Sequence, residues 1–429
     1  MSDPPIQVTF CTYDSPNTIG GPFSWMERLF PLLRERGIEA RALFLLHDGQ
    51  PGPTLKKLRS EGFVCTASTA HDTTHERVRW ILEELQKAPP DIFIPNLVVA
   101  AYYAGRWVKK AGIPTVGILH SDDSFYRAIV DQFGSGSKAS RLTDLVCVSR
   151  LLESQLLDMK LEAVSVHRIP YGVPHVGSRP DAGPNRLRIA YVGRLAEEQK
   201  RISEVTRALC RVVSEVPETE ASIFGDGPDR DSMLKILEEE GADLPVSWKG
   251  SLSPNEIQET LLQQDILVLL SDYEGLPIAV LEAMAAGVVP VCLRMRSGIT
   301  ELIEEGKTGL IVNNRGDSFM KAVRHLQEDP ELLNRLSRAA RERVEKEFSL
   351  DRCADRWFGL FEELQKTSGK KRKIFIPRRF HLPRPLPGFA HQDPRPDPFL
   401  KRAGNRLARL RFHAGKWKRR FFAGSDAIS

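Results

Sequence analysis

Long apolar runs are scarce in this sequence. The longest purely apolar stretches, such as Ile266 to Leu270, fall far short of the ~20 residues that cross a bilayer, so no membrane span is expected. Met1 to Gln7 has neither a basic n-region nor an apolar h-region, so no signal peptide is expected and the body is read as cytoplasmic. Cysteine pairing is missing too. The six cysteines (Cys11, Cys65, Cys147, Cys210, Cys292, Cys353) form no Cys-x-x-Cys pair and no Cys/His cluster, which argues against a disulfide framework and against structural zinc. There is also no Gly-x-Gly-x-x-Gly, no Gly-x-x-x-x-Gly-Lys and no His-Glu-x-x-His, which removes the dinucleotide fingerprint, the P-loop and the zincin motif.

What is present is a chain of 429 residues, too long for one core and expected to form two domains. Its 61 basic and 56 acidic residues give a net charge of only +5, but the charge is unevenly spread. From Lys366 onward there are 18 Lys and Arg against 3 acids, so the preceding body is acidic at −10 and the tail carries +15.

Short β-branched or apolar runs alternate with helical patterns along the body. Strands are expected at Val8 to Tyr13, Ala40 to Leu46, Phe63 to Ala67, Ile92 to Asn96, Thr115 to His120, Leu145 to Ser149 and Ser165 to Pro170. Helices are expected between them, for example Pro22 to Arg36, His75 to Lys87 and Val99 to Lys110. A polar break with Pro180, Gly183 and Pro184 follows, and the alternation restarts with Arg188 to Gly193, Ala221 to Phe224, Val246 to Lys249, Ile266 to Ser271, Val289 to Leu293 and Gly309 to Val312. The expected class is α/β: two Rossmann-like, doubly wound parallel-sheet domains facing a cleft, with ligands beyond the carboxyl ends of the strands. The expected divisions are a first domain over 1–176, a linker over 177–186, a second domain over 187–348, a further amphipathic helix over 349–365 and a basic, proline-rich tail over 366–429. Seven prolines between Pro377 and Pro398 predict an extended linker with no packed core. Beyond it, 401–421 has nine basic residues and no acid, with Ala403, Leu407, Leu410, Ala414, Trp417 and Phe421 at helical spacing. That pattern predicts an amphipathic helix lying on an anionic membrane surface. A solvated extension, favoured by Gly404 and Gly415, and a nucleic-acid contact are the alternatives, and nucleic acid is not the expected partner.

The densest chemical signal is Ser271 to Gly287. Glu274 sits in a turn after a strand, Gly275 permits close backbone approach, and the helix start at Leu276 to Ala279 offers free N–H groups to an anion. Glu282 stands alone among Ile, Ala, Val, Leu and Met, and a buried carboxylate must be satisfied. Ligand hydroxyls, a buried Arg or Lys, or backbone amides would each serve. A second signal is Gly193-Arg194 with Lys200, two cations beyond a strand end that suit a diphosphate, against a simple solvated loop. Gly20-Gly21-Pro22 opens a helix near a strand end, whereas Gly225 and Gly227 read as ordinary turn residues. His120, ending a strand beside Ser121 and Asp122, could donate to a sugar or phosphate oxygen or be structural.

These motifs, with Phe224-Gly225-Asp226-Gly227-Pro228, Tyr171-Gly172-Val173 and Ser297-Gly298-Ile299-Thr300-Glu301-Leu302, resemble the retaining glycosyltransferases of the GT-B fold, family 4, over about Val8 to Leu364. The resemblance implies transfer of a sugar from a nucleoside-diphosphate sugar to an acceptor it does not name, with retention of configuration. It implies that the second domain holds the donor, that the first holds the acceptor, and that neither metal nor other cofactor is needed. Arg194 and Lys200 would hold the diphosphate, Glu274 a sugar hydroxyl and Glu282 the ribose. Gly21, Gly193, Gly275 and Leu276 would lie near the donor, His120 near the transferred sugar, and Ile299 and Thr300 would offer backbone amides. The sequence departs from the pattern at Arg201, where Gly is frequent after the Lys, and at Ser297, which replaces the first of a Gly pair. An epimerase or phosphorylase of the same fold, and a non-catalytic sugar-nucleotide-binding protein, are the rival readings.

Overall fold

A computed structural model describes residues 4–16, 20–46, 49–68, 73–177, 186–389 and 392–394. Of the expected linker over 177–186, residues 178–185 lie outside the described residues, as does the expected amphipathic helix over 401–421.

The first domain is a twisted parallel sheet of β1 (Ile6–Asp14), β2 (Ile38–Leu46), β3 (Cys65–Ser68), β4 (Ile92–Pro95), β5 (Val116–Leu119), β6 (Asp144–Cys147) and β7 (Ser165–Arg168). The strands run in the order β3-β2-β1-β4 and β5-β6-β7, and a parallel bridge between Phe93 and Thr115 joins the two sets. The second domain is a parallel sheet of β8 (Leu187–Val192), β9 (Thr219–Phe224), β10 (Val246–Gly250), β11 (Ile266–Leu269), β12 (Val289–Leu293) and β13 (Leu310–Val312), ordered β10-β9-β8-β11-β12-β13. Order reverses beside β1 in one sheet and beside β8 in the other, and ligands bind α/β sheets at such switch points. The two carboxyl edges face each other across the cleft.

Local chemistry sets the helix ends. Thr73 and Glu76 form a reciprocal capping box at the start of Thr74–Lys87. Gly287, at φ 77°, ends the helix Ile278–Ala285 in the left-handed region that side chains disfavour. That helix is apolar nearly all round because it is covered on two sides. Ile278, Val280, Leu281, Ala283 and Met284 belong to a buried cluster that runs from the first domain onto one face of the second sheet, where Val192, Leu267, Leu269 and Cys292 join it, while the other face of that sheet has a separate core.

The helix Leu350–Thr367 packs on the first domain's helix Gly21–Glu35. Trp357 meets Trp25 at 5.7 Å between ring centroids, and Arg36 pairs with Asp351 and Asp355. Beyond it, the proline-rich segment departs from the expected free linker. Its backbone is extended, but it is strapped onto the first domain. Arg372 N donates to Ala111 O, Gln86 Nε2 to Ile374 O, and Arg79 Nη2 to the carbonyls of Pro377 and Arg378. Ile374, Phe380 and Phe389 are buried, and Asp393 accepts from both Thr74 Oγ1 (2.5 Å) and Tyr103 Oη (3.0 Å). Prolines preclude a sheet or a long helix here, leaving only the 3-10 turn Pro387–Phe389, but they leave side chains free to anchor in a ready-made surface.

Candidate active site

One loop carrying two cations and two helix starts converge on the cleft. After β8 the chain turns through Gly193 and the exposed Arg194 into the short helix Glu197–Lys200. Gly225 and Gly227, read from sequence as turn residues, hold this loop. A Cβ at Gly225 would sit 1.9 Å from Gly193 O, and one at Gly227 2.2 Å from Leu195 O. Leu195 N donates to Asp226 O, and Asp229 accepts from Glu197 N. The charge of Arg194 bears on Tyr13 at the end of β1, opposing the upward shift that burial imposes on the phenol.

The Glu197–Lys200 helix is also tied to the turn after β11. Asp272 N donates to Gln199 O and Gln199 Nε2 to Tyr273 O, which brings Lys200 Nζ to 2.5 Å from Glu274 Oε1. Both side chains are largely buried. Arg201 takes a left-handed conformation (φ 52°), the reason glycine suits this position. Its strain, about 1 kcal/mol, is borne with an ion pair to Asp272 at 2.6 Å. Asp272 also pairs with Arg315; burial opposes its ionisation, but the two guanidinium groups outweigh that and hold its carboxyl below the usual range.

Gly275 and Leu276 lie where the domains touch. A Cβ on Gly275 would come within 1.9 Å of His120 O, so only glycine allows this approach. Leu276 is buried. Gly21, the first residue of its helix, abuts Ile278, the first residue of the helix that carries Glu282. Two positive helix ends thus meet at the cleft.

Glu282 is met by Arg28 of the first domain: Arg28 Nη2 lies 2.5 Å from Glu282 Oε1. The sequence left ligand hydroxyls, a buried cation and backbone amides open as partners, and the cation occupies it here. Burial raises the Glu282 carboxyl and Arg28 opposes that shift.

His120 is buried with both ring nitrogens engaged. Nε2 contacts Asn96 Oδ1 at 2.7 Å and Nδ1 contacts the Tyr171 hydroxyl, which places the ring proton on Nε2. Burial lowers its pKa to about 3, so the ring is neutral near pH 7. The Ile299 amide is not free, because Ser297 Oγ accepts it at 3.1 Å, and Thr300 is exposed. Ser297 thereby changes what this loop can offer.

Sequence reasoning missed three further contacts across the cleft. Arg168 reaches Glu301 Oε1 (2.5 Å), Arg150 N donates to Glu301 Oε2 (2.6 Å), and Arg296 pairs with Asp122 (3.0 Å). It also missed a pocket at the carboxyl edge of the first sheet, lined by Tyr13, Leu45, Leu46, Ser68, Arg77 and Val98 and by Gln392 of the strap. Among the described residues no group of three or more His, Cys, Asp or Glu is placed to hold a metal ion, and no helix is long and apolar enough to cross a membrane.

Residues 179–343 match the family model described as "Glycosyl transferases group 1". The second domain is a group 1 glycosyltransferase domain. Parts of the chain are similar to known glycosyltransferases. It is 26% identical over 289 residues to alpha-D-kanosaminyltransferase of Streptomyces kanamyceticus, across 62% of this chain and 74% of that one. It is 31% identical over 168 residues to sulfoquinovosyl transferase SQD2 of Arabidopsis thaliana, across 38% of this chain and 31% of that one, so it spans about a third of that relative. In three dimensions it resembles Alr3699/HepE of Anabaena, solved in complex with UDP, with a TM-score of 0.66 at 15% identity over 83% of this chain and 100% of that one. The chain thus has the GT-B arrangement of two facing α/β domains.

Proposed function

We propose that this glycosyltransferase moves a sugar from a nucleoside-diphosphate sugar to an acceptor held by the first domain, with retention of configuration and without a metal ion. The observation that carries the reading is the convergence, at one edge of the second sheet, of Arg194, Lys200 and the amino end of Ile278–Ala285 beside the Lys200–Glu274 pair. A departing diphosphate carries concentrated negative charge, and preorganised cations and amides aimed at such charge do more for the rate than any other device. Arg194 and Lys200 neutralise that charge, with Gly193, Gly275, Leu276 and Gly21 giving the close backbone approach. Glu274 meets a sugar hydroxyl and Glu282 the ribose. His120 lies at the sugar, where binding exchanges its bond to Asn96 or Tyr171, and Thr300 offers its amide; Ile299 does so once Ser297 turns away. The UDP complex of the Anabaena structure supports a nucleotide ligand for this fold.

The acceptor belongs at the carboxyl edge of the first sheet, near Tyr13 and Arg77. The basic stretch 401–421 fits an anionic surface at the inner face of a membrane, which would bring the enzyme to a membrane-borne acceptor. A panel of UDP-, GDP- and ADP-sugars with candidate acceptors tests the reading. Turnover with at least one donor that collapses in Arg194→Ala and Lys200→Ala supports it; no donor binding, or variants with unchanged turnover, defeats it. Conversion of a donor without any acceptor would favour an epimerase instead.

A further inference from the structure

Arg28 is a buried cation whose bonding is incomplete. Its side chain is 10% exposed and that of Glu282 7%, and a single contact, Nη2 to Oε1 at 2.5 Å, joins them. Arg28 Nη1 is fully buried and has no hydrogen-bond partner. Among the described residues Glu282 Oε2 takes no further hydrogen bond. A purely structural ion pair would be expected to close both ends of the fork, because an orphaned donor of a charged group costs more than the bond it forgoes. The remaining termini of the two planar groups are therefore one donor and one acceptor, carried by helices whose first residues, Gly21 and Ile278, abut each other.

We propose that Arg28 and Glu282 together form a site for the vicinal diol of a ribose, with Arg28 as a donor-binding residue contributed by the first domain. This rests on the reading that Glu282 holds the ribose of a nucleoside diphosphate. The chemistry is complementary. A carboxylate can only accept and a guanidinium can only donate, whereas each hydroxyl of a diol does both. One hydroxyl donates to Glu282 Oε2 and its neighbour accepts from Arg28 Nη1, which satisfies the orphaned Nη1 and engages the second carboxylate oxygen without breaking the Nη2–Oε1 contact. The two halves come from helices of different domains, Gly21–Glu35 and Ile278–Ala285. The full diol contact therefore exists only while the domains are together, which links recognition of the ribose to closure of the cleft.

Calorimetric titration of the full-length protein with UDP, GDP and ADP selects the best-bound diphosphate, and its 2′-deoxy and 3′-deoxy forms are then compared with it. Wild type should prefer the ribose form by about 10-fold or more, the scale of a lost hydrogen bond to a charged group. Arg28→Leu should abolish most of that preference, and Arg28→Lys, which keeps the charge but not the fork, should retain only part of it. Glu282→Gln should lose it as well. If Glu282→Gln loses the preference while Arg28→Leu keeps it in full, Arg28 is not part of the site and the proposal fails alone. If wild type shows no preference, or Glu282→Gln keeps it, the assignment of Glu282 fails and takes the proposal with it. Should Arg28→Leu not fold, as judged by thermal unfolding, undiminished preference in Arg28→Lys overturns the proposal equally.

Discussion

Lys200 Nζ lies 2.5 Å from Glu274 Oε1, so the cation assigned to the donor diphosphate is already partnered by the carboxylate assigned to the donor sugar. The pairing follows from backbone ties between the Glu197–Lys200 helix and the turn after β11. It orients Lys200 before any ligand arrives, and preorganisation of this kind avoids rearrangement during the reaction. Lys200→Ala should lower kcat about 100-fold, the usual effect of removing one charge-stabilising donor. Glu274→Gln should separate the two roles. Freed from its counter-ion, Lys200 should hold a nucleoside diphosphate at least as tightly, while sugar turnover falls. Titration calorimetry and steady-state kinetics on the same variant check both halves; weaker diphosphate binding in Glu274→Gln would count against the division of roles.

Across the cleft, Glu301 has a side chain only 4% exposed and is met by Arg168 at 2.5 Å. Removing the cation strands a buried carboxylate. Arg168→Ala should therefore destabilise the protein by about 3 kcal/mol, with Arg150 N still donating to the second oxygen. Urea denaturation measures this, and a loss below about 0.5 kcal/mol would place the pair among ordinary surface contacts.

The strap offers a different stability test. Phe389 is fully buried against Phe125 and Phe133, with centroid distances of 5.9 and 6.1 Å. Phe389→Ala should cost about 3 kcal/mol, but the strap can lift away while the two sheets stay folded. The loss should appear as rapid proteolysis and amide exchange between 372 and 394, with global unfolding moved less. Equal protection of the strap in wild type and variant would show that the phenylalanine does not anchor it.

Acid should act through His120. Burial lowers its pKa to about 3, below the ordinary 6.5. A depressed histidine contributes stability in full above the unfolded value, and that stability is lost as pH falls from 6.5 towards 3, because the unfolded chain takes up a proton that the fold refuses. The slope is about 1.4 kcal/mol per pH unit in that window. Wild type should lose about 2 kcal/mol more than His120→Asn between pH 6.5 and 5, measured by urea denaturation at each pH. Equal losses would mean the ring is protonated in the fold.

The alternation of strands and helices was legible because buried parallel strands are short apolar runs and amphipathic helices repeat every 3.6 residues. Val289–Leu293 is found over the expected residues, and β1 extends the expected Val8 to Tyr13 by two residues before it and one after. The motif positions around Arg194, Lys200, Glu274 and Glu282 were legible because charge inside apolar surroundings needs a reason. Contacts between distant residues were not. Arg28 and Glu282 are 254 positions apart, and nothing in the helical pattern of Gly21–Glu35 marks one arginine as facing another domain. The strap was missed for another reason. Its anchors, Ile374, Phe380 and Phe389, follow no helix or strand period, and their burial depends on grooves that other segments build. Ser297 shows the limit within a motif: a hydroxymethyl group in place of glycine's hydrogen consumes the very amide, that of Ile299, that the pattern would leave for a ligand.

Binding of a nucleoside diphosphate by the second domain through Arg194 and Lys200 can be read out by titration calorimetry with UDP, GDP and ADP. The wild-type chain should bind at least one of the three saturably, with binding weakened about 100-fold or more in the Arg194→Ala/Lys200→Ala double variant, since each charged contact contributes about 10-fold or more. Binding of none of them, or binding of undiminished strength by the double variant, would contradict it.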